Sequence, residues 1–181
     1  MREIEIKVRV SNSAQTLAAL EELGIQLGKP KKQHDVVYAR PGAIAADPHE
    51  NWLRVRTEND RRVLFTLKRA VSSELDSIEH EAVVDSAAEI TAIVRCLGYE
   101  LFSDTTKVRR TAQYADTTLC FDEVAQLGAF MEAERVCQEN VDLATIEAGL
   151  WHLMEQLGFT RADQETSGYD ILIRKQVSGE V

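Results

Sequence analysis

Apolar and polar residues alternate strictly at the start of the chain. Within residues 2–10, Ile4, Ile6 and Val8 fall on one side of an extended chain, which predicts a β-strand with one apolar face. The charged residues on its other side are Glu3, Glu5, Lys7 and Arg9. Leucines at helical spacing follow, and Gly24 stands where that helix would end. A Glu-x-Glu strand with a helix and a Leu-Gly ending recurs from residue 78 and from residue 130, so the sequence predicts three strand–helix units.

The remaining regular segments are also predicted strands. They cover residues 36–39, 52–57, 63–69, 106–114 and 117–122. Asn59-Asp60 and Ala115-Asp116 are turn sequences between neighbouring strands, which predicts antiparallel hairpins. About eight antiparallel strands can close into a barrel, and three amphipathic helices can cover its outer face.

Charged side chains share one face of nearly every predicted strand. A half-buried sheet would ordinarily turn such a face to water, but here the helices are available to cover the apolar face, so the charges are expected inside. The predicted inward carboxylates are Glu3, Glu5, Glu79, Glu81, Asp122, Glu132 and Glu134. The predicted inward cations are Lys7, Arg9, Arg54, Arg56, Lys68, Lys107 and Arg109, while Arg110 falls outside by parity.

These patterns predict an α+β fold, a closed eight-stranded antiparallel β-tunnel with a charged interior that is covered outside by about three or more helices. We expect one domain over residues 1–176 and a flexible C-terminal tail at 177–181. Such an interior must stay wet, because burying an unpaired ion costs several kcal/mol. Clustered carboxylates without His or Cys are hard oxygen ligands and suit Mg²⁺ or Mn²⁺. Two such ions would add about four positive charges to a roughly neutral cavity and match a triphosphate.

The overall charge narrows the class of partner. The 181 residues carry a formal charge of -9, so the chain repels nucleic acid and anionic membranes. No stretch approaches the roughly 20 apolar residues of a membrane span. We expect a cytoplasmic protein, a monomer or homodimer, that binds a small triphosphate and neither nucleic acid nor membrane. The three cysteines fit no metal-site spacing and are interpreted as free thiols.

Six motifs, in order, resemble those of the CYTH superfamily, the triphosphate tunnel metalloenzymes. Glu3-Ile4-Glu5-Ile6-Lys7 resembles the N-terminal ExExK motif of that family. The later motifs are Leu53-Arg54-Val55-Arg56, Thr66-Leu67-Lys68, Glu79-His80-Glu81, Lys107-Val108-Arg109-Arg110, and Phe121-Asp122-Glu123-Val124 through Gly128 to Glu134. The resemblance covers nearly the whole chain.

The resemblance implies an eight-stranded tunnel, dependence on Mg²⁺ or Mn²⁺, and ATP or another nucleoside triphosphate, thiamine triphosphate or inorganic triphosphate as substrate. By position, the metal ligands would be Glu3, Glu5, Glu132 and Glu134. The phosphate-binding residues would be Lys7, Arg54, Arg56, Lys68, Lys107 and Arg109. Glu79, Glu81 and Asp122 would support the metal or the basic side chains, and catalysis would fall to Glu5, Lys7 and Lys68.

Two reactions fit this expectation. In the class IV adenylyl cyclases the ribose 3′-hydroxyl of ATP attacks the α-phosphate, and this group is favoured by length and by the C-terminal motifs. In the triphosphatases water attacks the terminal phosphate, and Lys68 is a candidate base if neighbouring cations lower its pKa. A binding module that senses polyphosphate or nucleotide is the third reading. Ser167-Gly168-Tyr169 departs from the Ser-Tyr pair of the cyclases, which leaves its role open.

Overall fold

The computed structural model describes residues 2–44, 47, 49–73, 75–138 and 141–178. The strands are β1 (Arg2–Val10), β2 (Lys31–Ala39), β3 (Trp52–Glu58), β4 (Arg62–Ser73), β5 (Asp76–Val84), β6 (Glu100–Tyr114), β7 (Thr117–Val124) and β8 (Gly128–Cys137). The helices are α1 (Ser13–Glu22), α2 (Ala87–Cys96), α3 (Leu143–Gln156) and α4 (Tyr169–Ser178), with a 3₁₀ turn at Arg161–Asp163. Helix α4 includes Val177 and Ser178, the start of the expected tail, and residues 179–181 lie outside the described part of the chain.

The eight strands form a closed antiparallel barrel in the order β1-β5-β4-β3-β2-β6-β7-β8, with β8 returning to β1. The predicted α+β tunnel is therefore confirmed. Both predicted hairpin turns join paired strands. In the first, Asn59 and Asp60 adopt positive φ angles of 48° and 56°, a conformation that Asn and Asp tolerate better than most residues.

The apolar faces of the strands point outward and are covered by helices. One core lies between α1, α3 and the strands β1, β7 and β8, with Trp151, Leu150 and Met154 of α3 almost fully buried. A second core packs Val94 of α2 against β2, β3 and β4. Since the helices take the apolar side, the charged side is left to face the barrel interior.

The predicted helix boundaries are explained by their caps. Asn12, Ser86 and Asp142 are the N-cap residues, and each side chain accepts a backbone hydrogen bond from its helix. The three Leu-Gly endings are confirmed as helix ends, with each glycine at positive φ. No helix among the described residues is both long and apolar enough to cross a membrane.

Strand β1 closes the barrel in an unequal way. It pairs with β8 along its whole length but with β5 only over Arg2 to Ile4. Beyond that point, residues 164–171, which we call the C-terminal segment, take the place beside β1. Val8 forms a β-bridge with Gln164, and the backbone N–H of Glu165 donates to the carbonyl of Lys7 at 2.9 Å. The C-terminal segment is thereby brought against the interior.

Candidate active site

The barrel encloses a cavity of about 470 Å³, which we call the tunnel. Nearly all of the predicted site residues line it. Those that do are Glu3, Glu5, Lys7, Arg54, Arg56, Lys68, Glu79, Glu81, Lys107, Arg109, Glu132 and Glu134. They converge because the six strands that carry them each present alternate residues to the same interior.

Two predicted inward residues take other positions. The prediction for Arg9 is wrong, since its side chain is 50% exposed and donates to Glu165 at 2.6 and 3.1 Å. Arg9 has the right parity but lies near the end of β1, where the C-terminal segment covers the strand. Asp122 lies behind the tunnel lining, fully buried, and accepts hydrogen bonds from Lys107 at 3.2 Å and Arg109 at 2.7 Å. Arg110 lies outside, as its parity predicts, and donates to the carbonyl of Gly28.

The tunnel also contains residues that the sequence patterns did not indicate. They are Asp35, Ser103 and Thr105 on β2 and β6, and Gly168, Tyr169, Asp170 and Ile171 of the C-terminal segment. The first three belong to strands that begin earlier than predicted. Extending the alternation back from Lys107 would have placed Ser103 and Thr105 inside, whereas β2 has no alternation that marks Asp35.

Charges are separated around the tunnel. The neighbouring strands β8, β1 and β5 carry Glu132, Glu134, Glu3, Glu5, Glu79 and Glu81. We call this side the acidic wall; Lys7 is its one cation among the described lining residues. The opposite strands, β4, β3 and β6, carry Lys68, Arg54, Arg56, Lys107 and Arg109, and form the basic wall.

The lining contains more carboxylates than cations, contrary to the neutral cavity expected from the sequence. Arg9 is absent from it, Asp122 lies behind it, and Asp35 and Asp170 are added. In the described chain, eight carboxylates and six cations face the tunnel. When all of these groups are ionised the excess repels an anion alone, so a bound triphosphate then needs added positive charge.

The acidic wall places like charges opposite each other. Across the β1–β8 ladder, Glu5 pairs with Glu134 and Lys7 with Glu132. Burial and the charge of Glu132 raise the pKa of Glu5 to about 7. Burial, Glu132 and the other tunnel glutamates also raise the pKa of Glu134 well above its ordinary value. Directly opposed carboxylates are unfavourable unless a proton or a cation lies between them.

The donor atoms of this wall suit a hard divalent cation. One oxygen of Glu5 is buried without a hydrogen bond, although Lys7 Nζ lies 3.1 Å away. Ligand atoms of Cys120, Glu132 and Glu134 lie within 4.8 Å of one another. Burial raises the pKa of Cys120, so its thiol keeps its proton and the carboxylates remain as ligands. The residues therefore fit Mg²⁺ or Mn²⁺ better than a thiophilic metal.

The two arginines of β3 differ in their partners. Arg56 is buried and donates two hydrogen bonds of 2.7 Å to Asp35, which lies opposite it on β2. Among the described residues, Arg54 makes only long contacts, 3.7 Å to Glu79, 3.6 Å to Glu81 and 3.3 Å to the hydroxyl of Thr66. Its Nε is buried without a hydrogen-bond partner. Arg54 thus has donors available for a ligand, whereas Arg56 is engaged.

Lys68 does not have the lowered pKa that a general base requires. Burial lowers the pKa of Lys68, but the negative charges of Glu79, 3.2 Å away, and of Glu5 raise the pKa by a larger amount. The pKa of Lys68 therefore lies above its ordinary value. The predicted direction is therefore wrong. Lys107 is the tunnel lysine whose pKa is lowered, by burial and by the charges of Arg109 and Arg56.

Arg109 connects the two walls. Its guanidinium donates to Asp122 at 2.7 and 2.5 Å, to Glu134 at 3.2 Å and to Glu132. These three carboxylates hold the pKa of Arg109 well above its ordinary value despite burial. Arg109 is therefore the cation on which the acidic residues of β7 and β8 depend.

One part of the tunnel is apolar. Trp52 and Phe102 pack edge to face with ring centroids 4.7 Å apart, and Ile171 packs beside them. Apolar side chains among the described lining residues include Val37, Trp52, Leu53, Ala70, Leu75, Val136 and Ile171, whereas Phe102 contacts Trp52 without belonging to the lining. The tunnel thus offers a surface for an organic group as well as for charges.

Comparison with known proteins agrees with this geometry. The family model of the CYTH domain matches residues 1–169. A protein of Methanocaldococcus jannaschii, provisionally named an adenylate cyclase, is 27% identical over 139 residues, which cover 75% of this chain and 77% of the relative.

Solved structures share the same fold. The structure of a Pyrococcus horikoshii protein matches with a TM-score of 0.82 and 24% identity, covering 94% of this chain and 99% of the other. A Hippeastrum protein provisionally named an adenylyl cyclase, and described as having a dominant triphosphatase activity, matches with a TM-score of 0.62 and 16% identity. That match covers 99% and 96% of the two chains.

Proposed function

The chain belongs to the CYTH domain family, and on that premise we propose that it is a Mg²⁺- or Mn²⁺-dependent enzyme acting on a triphosphate. The favoured reaction is that of a class IV adenylyl cyclase, in which the 3′-hydroxyl of ATP attacks its own α-phosphorus and pyrophosphate leaves. The observation that carries the proposal is the tunnel with its acidic and basic walls. A metal–triphosphate complex has the complementary arrangement of charge.

The two walls divide the work. The proposed metal ligands lie on β1 and β8 and are Glu3, Glu5, Glu132 and Glu134. Bound Mg²⁺ or Mn²⁺ would neutralise phosphate charge and activate the attacking hydroxyl. Arg54, Arg56, Lys68, Lys107 and Arg109 would bind phosphate oxygens from the opposite side, together with Lys7. Glu79, Glu81 and Asp122 would hold the basic side chains in place.

Binding would exchange partners within the tunnel. Lys68 now lies 3.2 Å from Glu79, and Lys7 lies 3.1 Å from Glu5. A triphosphate that contacts these ammonium groups would replace the carboxylates as their partners. The carboxylates released in this way could then bind a metal ion. Since the carboxylates outnumber the cations, metal and triphosphate are expected to bind together. This disfavours a module that binds polyphosphate without metal.

The apolar part of the tunnel favours a substrate with an organic group. The ring of Trp52, which Phe102 contacts edge to face, offers a surface in the tunnel that inorganic triphosphate would leave unused. ATP and thiamine triphosphate both carry planar groups that suit it. Hydrolysis of such a substrate remains the second candidate reaction, because a protein of the same fold is described as having a dominant triphosphatase activity.

Product analysis tests the proposal. The purified protein is incubated with Mg²⁺ or Mn²⁺ and, separately, with ATP, thiamine triphosphate and inorganic triphosphate. Cyclic AMP with pyrophosphate is the expected result. Release of orthophosphate would instead identify a triphosphatase. Tight, metal-independent binding without any product would support a sensor and overturn the proposal that the protein is an enzyme.

Arg54→Ala and Arg56→Ala should separate binding from stability. Arg54 has donors without partners, so its loss should raise KM for the triphosphate about tenfold, at little cost in stability. Loss of Arg56 leaves Asp35 buried and unpaired, which costs about 3–5 kcal/mol of unfolding free energy. Urea unfolding and steady-state kinetics of both variants measure this difference. Equal unfolding midpoints would contradict the assignment of Arg56 to Asp35.

A further inference from the structure

The C-terminal segment carries an aromatic ring to two of the tunnel lysines. The ring centroid of Tyr169 lies 4.4 Å from Nζ of Lys7 and 4.7 Å from Nζ of Lys107. Both lysines are buried, with exposed fractions of 2% and 4%. An ammonium group within about 6 Å of a ring centroid is attracted by the electron-rich face. One side chain therefore contacts two cations on opposite walls.

Strand residues fix the ring from other directions. Phe130 of β8 packs against it with centroids 5.0 Å apart. The hydroxyl of Tyr169 is buried beside Glu132, the residue that faces Lys7 across the β1–β8 ladder. Tyr169 thus contacts β1, β6 and β8, and the position of its ring depends on all three strands.

The segment that bears Tyr169 is fastened to β1. Ser167 donates its backbone N–H to Glu165 at 3.0 Å, and Glu165 in turn binds Arg9 at 2.6 Å. The carbonyl of Ser167 accepts a hydrogen bond from Lys7 Nζ at 3.4 Å. Arg9, which the tunnel does not contain, therefore contributes by anchoring the segment that enters it.

Both lysines have carboxylates that compete for them. Lys7 Nζ lies 3.1 Å from Glu5 and 3.6 Å from Glu132, and Lys107 Nζ lies 3.2 Å from Asp122. Each ammonium group is thus already at ion-pair distance from a carboxylate, and without the ring as a second partner it could turn wholly toward that carboxylate. It would then have to be withdrawn before it could bind a phosphate, which weakens substrate binding without altering the chemical step.

We propose that Tyr169 is a positioning residue, whose ring holds the ammonium groups of Lys7 and Lys107 in the tunnel for the phosphates. The proposal rests on the proposed function, since it takes these lysines as phosphate ligands. It also gives a role to the Ser167-Gly168-Tyr169 sequence, because the turn before α4 aims the ring at the two lysines.

Two substitutions separate the ring from the hydroxyl. Tyr169→Leu removes the ring, and Tyr169→Phe keeps it. With MgATP as the turned-over substrate, Tyr169→Leu should raise KM about tenfold while kcat stays within about threefold, as expected for loss of a contact that preorganises binding. Tyr169→Phe should restore KM to within about twofold of the unsubstituted protein. Tyr114→Leu, the same change at a half-exposed position outside the tunnel lining, is the matched control.

A second measurement does not depend on turnover. The side-chain ammonium signals of Lys7 and Lys107 in ¹H–¹⁵N NMR spectra should be shifted by the ring current of Tyr169, keep that shift in Tyr169→Phe, and lose it in Tyr169→Leu. Calorimetric titration with inorganic triphosphate and Mg²⁺ should show about tenfold weaker binding for Tyr169→Leu alone. If Tyr169→Leu does not fold, Glu165→Gln, which weakens the anchor, should shift the Lys7 signal and raise KM about threefold.

The outcomes distinguish the two proposals. If the unsubstituted protein binds no triphosphate with Mg²⁺, the proposed function fails and the positioning role fails with it. If the unsubstituted protein binds triphosphate with Mg²⁺ and Tyr169→Leu shows the same affinity in the calorimetric titration, the positioning role alone is overturned. Equal loss in Tyr169→Phe and Tyr169→Leu would also overturn it, because the hydroxyl and not the ring would then carry the effect. A fall in stability with unchanged KM would overturn it too, because a purely structural contact predicts that result.

Discussion

Glu5→Gln should abolish turnover and leave the fold intact. The variant keeps the size of the side chain and one acceptor oxygen, but it replaces the other oxygen by an amide donor and removes a charge from the acidic wall, where Glu5 faces Glu134. If Glu5 is a metal ligand, kcat/KM should fall by about a hundredfold or more, as when other preorganised electrostatic contacts are lost. Steady-state rates at several Mg²⁺ and Mn²⁺ concentrations measure the loss.

The stability of Glu5→Gln provides an independent check, because stability is expected to stay the same or increase while turnover is lost. Because burial raises the pKa of Glu5 to about 7, the folded protein loses stability as the pH rises through that value. Glutamine has no such ionisation, so at about pH 8 the metal-free variant should unfold at the same temperature as the unsubstituted protein or higher. Glu21→Gln, on an exposed position of α1, is the matched control and should change neither property. Unchanged turnover in Glu5→Gln would exclude Glu5 from the metal site.

Arg109→Ala should be the most destabilising single change in the tunnel. It leaves Asp122, Glu132 and Glu134 without their shared guanidinium, and Asp122 is fully buried. Breaking a buried ion pair from one side costs about 3–5 kcal/mol. For a protein of this size that lowers the unfolding temperature by roughly 10 °C. Thermal unfolding of the metal-free protein, followed by circular dichroism, measures it.

Arg110→Ala is the control, since Arg110 lies outside the tunnel and, within the described part of the chain, donates only to a backbone carbonyl. We expect it to cost less than about 1 kcal/mol. Saturating Mn²⁺ should raise the unfolding temperature of Arg109→Ala by more than that of the unsubstituted protein, because the ion supplies charge to the same carboxylates. An equal shift in both would indicate that the carboxylates bound by Arg109 do not take part in metal binding.

Strand periodicity predicted the barrel because its outer face is apolar along most strands. In β1, alternation alone separates Ile4 and Ile6 from Glu3 and Glu5, and the pairing register with β8 follows it. The helix ends were predictable for an equally local reason. A residue at positive φ after the last turn is most easily a glycine, and Gly24, Gly98 and Gly158 all occur there.

The residues whose position or pKa was not predicted correctly are those whose surroundings are formed by residues distant in sequence. The first half of β2 is polar on both faces, so Asp35 has no alternation to mark it, and its place is set by the pairing of β2 with β3. Arg9 has correct parity, but near the end of β1 its side chain is half exposed and binds Glu165 of the C-terminal segment instead of facing the tunnel. The pKa of Lys68 depends on Glu79, which only the β4–β5 register brings within reach. Tyr169 follows no period at all, because its position is fixed by packing across three strands.

The unequal closure of β1 has a consequence for the order of assembly. Strand β1, the first of the eight barrel strands to be synthesised, has its full set of partners only when residues 128–137 and then 164–165 have been made. Pairing over such sequence separations is slow, since a long loop must close before the contact forms. During synthesis the charged face of β1 therefore waits in water, where unpaired ions cost nothing, and the tunnel is completed after nearly the whole domain has emerged.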